Sequence, residues 1–137
     1  MAQFYLLSVL TLLVGGALAA SDFLSERMSS FSLLADFAER RSVMLTVGIL
    51  TAVVGVMKFF VRAPGDTVRV VGDFLPAIAG IATGGVILIG QAKRRSVVGE
   101  ELSPPPAHSL VDYRNPIGLA GVLVGLLHFF FASAVIL

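Results

Sequence analysis

The stretch Val43-Met44-Leu45-Thr46-Val47-Gly48-Ile49-Leu50-Thr51-Ala52-Val53-Val54-Gly55-Val56-Met57-Lys58-Phe59-Phe60-Val61 decides how this chain is read. Its 19 residues carry one charge, Lys58. The apolar residues run without alternation, which suits a helix in lipid better than a half-buried strand. A bilayer core takes about 20 such residues, with roughly 17 as the lower limit. Three more stretches meet that length. Phe4 to Ala20 and Phe74 to Ala92 have no charge, and Pro116 to Leu137 has one ionisable group, His128. A transmembrane barrel needs more strands than four short segments supply. The sequence therefore predicts an all-α integral membrane protein, a four-transmembrane-helix bundle with spans at 4–20, 43–61, 74–92 and 116–137.

Composition agrees. Of 137 residues, 56% are hydrophobic and 14% charged, where soluble domains average about a quarter charged. Mean hydropathy is +0.91. A globule this small buries too little of its surface to hide that much apolar area. The net charge of +1 provides no field to attract nucleic acid. Without cysteine there is no disulfide, thiolate metal site or Cys nucleophile. Ala17-Leu18-Ala19-Ala20 has the small-residue pattern of a signal-peptide cleavage site. No Lys or Arg precedes Phe4, however, and the segment takes part in an internal repeat, so it is read as a retained span.

That repeat begins with the deciding stretch. Val47 to Phe60 overlays Ile117 to Phe130, matching Gly48 with Gly118, Gly55 with Gly125, Val54 with Val124, and Phe59-Phe60 with Phe129-Phe130. Spans one and three overlay with Gly15-Gly16 on Gly84-Gly85 and Leu6 on Leu75. A tandem two-helix repeat inserts both copies in the same orientation, related by an axis along the membrane normal.

Positive residues set the orientation. Arg27, Arg40, Arg41, Lys93, Arg94, Arg95 and Arg114 fall in the two longer loops, while Lys58, Arg62 and Arg69 lie towards the other side. Both long loops are therefore expected in the cytoplasm of a prokaryotic-type inner membrane, and both termini outside. Arg40, Arg41, Lys93, Arg94 and Arg95 abut span ends as topology anchors. In loop 22–41, Leu24, Met28, Phe31, Ala35 and Ala38 recur at helical spacing, with Leu34 on the flank. This pattern predicts one interfacial amphipathic helix. In loop 93–115, Ser103-Pro104-Pro105-Pro106 favours an extended excursion.

Small residues recur at four-residue spacing in every span, with Gly48, Gly55, Gly80, Gly84, Gly121 and Gly125 as candidate helix-packing positions. In lipid, close backbone approach drives helix pairing. None of these glycines follows a strand in a nucleotide-binding unit.

An ionisable residue inside a span is costly and is a functional candidate by default. Lys58 and His128 occupy equivalent repeat positions, and Asp73 starts span three at the same level. They form a candidate intramembrane polar site. The competing reading lets Lys58 snorkel outward, Asp73 sit in water and His128 hydrogen-bond a neighbouring helix. No catalytic or metal-ligand spacing emerges, and no cofactor is implied. Two functions lead as expectations, ahead of a membrane enzyme. The first is a non-catalytic membrane subunit or scaffold, with lipid and other membrane helices or further copies of itself as partners. The second is a small repeat-built, dimeric transporter or channel using Lys58 and His128.

Overall fold

The computed structural model describes residues 2–60, 70–97 and 110–131. These residues are helical almost throughout: α1 (Ala2–Ala19), α2 (Ser21–Arg27), α3 (Ser32–Glu39), α4 (Arg41–Phe60), α5 (Val70–Val97) and α6 (Arg114–Phe130). Short 3-10 turns cover Ser29–Phe31 and Leu110–Tyr113. The connection at 61–69, the proline run at 103–106 and residues 132–137 lie outside the described residues.

By length and composition, α4 and the Phe74–Arg94 part of α5 can cross a membrane. The bent pair formed by α1 and α2 makes a third candidate. At 17 residues, α6 is a shorter apolar helix, about 26 Å long against roughly 30 Å of hydrocarbon.

Two antiparallel pairs build the bundle. The most extensive packing is α4 on α5, followed by α1 on α6. Glycines set both contacts. A Cβ on Gly84 would stand 2.6 Å from the Ala52 amide nitrogen, and one on Gly55 2.8 Å from that of Ile81. In the other pair, a Cβ on Gly16 would meet the Gly118 carbonyl oxygen at 2.6 Å, and one on Gly118 would meet that of Gly16 at 2.6 Å. Backbones this close gain dispersion contacts that any larger residue would block. Large apolar side chains turn outward on all four long helices, among them Leu10, Val53, Ile78 and Leu123.

The helix expected over 22–41 is broken. α1 and α2 meet at a 70° bend. Met28 then takes an extended conformation, φ −142° and ψ 113°, and ends α2. The following Ser29-Ser30 is poor helix-forming sequence, since serine hydroxyls compete for backbone groups. Met28 is exposed rather than on a packed face. Ala38 is buried, and Leu34 packs beside it against Leu18, Ala19, Met44 and Ile87. α3 therefore covers the end of the bundle, while Leu33 and Phe37 remain exposed beside it.

Candidate functional site

Three side chains, Lys58, His128 and Tyr5, meet where α4, α6 and α1 converge. Lys58 sits in the last turn of α4 and His128 in the last turn of α6. Their exposures are 7% and 4%, and Lys58 Nζ lies 2.9 Å from His128 Nε2. Lys58 thus turns inward to the neighbouring helix instead of snorkelling. The Tyr5 ring packs 4.8 Å, centroid to centroid, from the His128 ring. Its hydroxyl donates to the His128 carbonyl oxygen and, at 3.3 Å, to that of Phe129. Those carbonyls belong to the final turn of α6 and have no partner within the helix. Ser8, one turn further along α1, donates to the Tyr5 carbonyl at 2.8 Å. Asp73 falls in the first turn of α5, and its side chain lies outside the described residues.

One nitrogen of the Lys58–His128 contact donates and the other accepts, so the contact requires at least one lone pair. With both groups charged, two cations would stand 2.9 Å apart. At an effective dielectric of about 20, their direct repulsion is about 6 kcal/mol.

A thinner polar line continues along the interior. Thr11 Oγ1 donates to the Ser8 carbonyl at 3.1 Å, and Thr51 Oγ1 to the Thr11 carbonyl at 3.2 Å. Thr83 is fully buried, and its Oγ1 has no hydrogen-bond partner. It faces Gly121, where a Cβ would come within 2.6 Å of it.

The opposite end of the bundle has its own clamp. Arg114 Nε donates to the Ala19 carbonyl at 2.9 Å, and Nη2 to the Leu18 carbonyl at 3.2 Å and to Ser21 Oγ at 3.0 Å. Its Nη1 is 3.6 Å from Asp22 Oδ2. The bend after α1 frees those carbonyls, and a cation at a helix C-terminus is favoured. Sequence reading counted Arg114 only as a positive loop residue and passed over Tyr5. Each is identified by the helix end it closes, which no spacing within one segment reveals.

The packing glycines Gly48, Gly55, Gly80, Gly84, Gly121 and Gly125 all face neighbouring helices within the chain. Arg40 and Arg41 are exposed at the start of α4, with Arg40 5.7 Å over the Phe37 ring. Lys93 and Arg94 lie near the far end of α5, and the side chain of Arg95 lies outside the described residues.

Residues 1–128 match a family model. The chain belongs to a family of unknown function. No curated protein and no solved structure matches it.

Proposed function

We propose that this family member is a small inner-membrane transporter or channel of four spans, built from two two-helix repeats, whose working centre is Lys58 with His128. The carrying observation is the 2.9 Å contact between two ionisable side chains, each at least nine-tenths buried. Burial of such groups at span depth is costly and marks ion or proton pathways. The contact joins the last turns of α4 and α6, so in this reading a change at the pair alters the spacing of those helices. The outward apolar residues on the long helices support a lipid surround.

The glycine contacts support the repeat. Gly15 meets Thr51 Oγ1 as Gly121 meets Thr83 Oγ1. Gly84 meets the Gly48 carbonyl and Ala52 amide as Gly16 meets the Gly118 carbonyl and Val122 amide. These equivalences pair Gly16 with Gly84 and Gly15 with Thr83, one residue from the sequence overlay. Lys58 and His128 then touch across the axis relating the halves. Both long loops are proposed as cytoplasmic on their positive charge.

The test is proton flux into liposomes holding the purified chain, driven by an imposed potential and read by an internal pH dye. Flux above that of empty liposomes is expected. It should fall at least tenfold in Lys58→Gln and His128→Gln, while gel filtration confirms intact folding. Wild-type flux equal to empty liposomes would refute the proposal.

One observation favours the scaffold reading. Gly85 leaves open space where a Cβ would point, so another helix has room to approach α5 closely. A defined protein partner retained in mild detergent, with Gly85→Leu releasing it, would establish that reading instead.

A further inference from the structure

A cavity of about 310 Å³ opens at the end of the bundle opposite Lys58 and His128. Met44 from α4 and Ile87 from α5 form its apolar part, and both are almost fully buried. Gln91, Lys93, Arg94 and Arg114 supply its polar lining. Gln91 is 4% exposed and turns a polar side chain to the same space. Lys93 and Arg94 have no ion-pair partner among the described residues. Arg114 is engaged by the end of α1 and by Asp22, so it adds a fixed positive wall and keeps the pocket's shape.

We infer that this cavity binds a phosphate-bearing anion, with Lys93 and Arg94 holding the phosphate oxygens and Gln91 donating an additional hydrogen bond from within. Lysine and arginine provide charge-assisted donors to phosphate. Basic pockets between membrane helices on the cytoplasmic side accept lipid headgroups in this way. The apolar part beside the charges gives an acyl chain or glycerol backbone a place to lie. Two sources share the chemistry: the phosphodiester of an anionic phospholipid, and free phosphate.

The assay follows thermal unfolding of the full chain in a neutral detergent, titrated with phosphatidylglycerol, phosphatidylcholine or inorganic phosphate. Stabilisation by phosphatidylglycerol, at a concentration where phosphatidylcholine has no effect, identifies a lipid headgroup site. Stabilisation by inorganic phosphate alone identifies a free-anion site. In either case, Lys93→Gln combined with Arg94→Gln should weaken the half-maximal concentration at least tenfold, and Gln91→Leu several-fold. Because Lys93 and Arg94 lie towards the surface, the double variant should unfold at the wild-type temperature without ligand. No shift with any additive, or equal shifts in wild type and double variant, would overturn the inference. Proton flux is a separate readout, so a failure here leaves the Lys58–His128 proposal untouched.

Discussion

Two threonines at similar depth have opposite standing. Thr51 donates its hydroxyl proton to the Thr11 carbonyl on another helix, while Thr83 is equally buried with an unsatisfied oxygen. Replacing a buried hydroxyl that has a partner costs about 1 kcal/mol, whereas removing an orphaned one is neutral or favourable by a similar amount. Thr51→Val should therefore lower the unfolding temperature in detergent, and Thr83→Val should hold or raise it. A drop for Thr83→Val as large as that for Thr51→Val would mean the orphan has a partner in solution, such as water. The sequence already distinguished Lys58 and His128, because charge in an apolar run is conspicuous and the repeat placed the two in register. It could not rank the threonines. Their roles depend on which face of each helix meets a neighbour, and helix rotation depends on the packed bundle.

The glycines act through whole helices. Gly84 and Gly85 are adjacent, yet a Cβ on the first would strike Ala52 while a Cβ on the second would meet nothing within 4 Å. Gly84→Ala should destabilise by about 1–3 kcal/mol, the usual cost of overpacking. Gly85→Ala should be neutral or stabilising by up to about 1 kcal/mol, since alanine is the better helix former. Comparable losses in both variants would contradict the packing of Gly84, and not Gly85, against α4. At the bend between α1 and α2, Arg114→Gln removes a charged side chain that is 12% exposed and bonded to two helix-end carbonyls. Hydrogen bonds from charged groups are worth about 1.5–3 kcal/mol. Amide hydrogens of Ser21–Arg27 should then exchange faster, while those of α4 keep their protection. Helix-forming segments were legible from apolar run length alone. The break at Met28 was not, because the apolar periodicity of 22–41 runs through it unbroken. Only the weak local preference of Ser29-Ser30 signals it.

For the molecule as a whole, orientation is open to direct measurement. The chain has no cysteine, so a single introduced thiol reports alone. Gln3→Cys should react with a membrane-impermeant maleimide in intact cells, and Ser30→Cys only after lysis. The reverse pattern would invert the topology, and labelling of both positions in intact cells would dismiss a membrane crossing between them. Charge counting predicts this result without any structure, whereas the pairing of helices needed the coordinates. Apolar spans share too small an alphabet to reveal which neighbour each prefers. That pairing also bears on biosynthesis. The first helix finds its principal mate in the last one described, on the far side of almost the whole chain. Every other described helix must be made before that union forms. Until then α1, with its close-approach glycines unoccupied, is a client for whatever machinery shelters immature apolar helices.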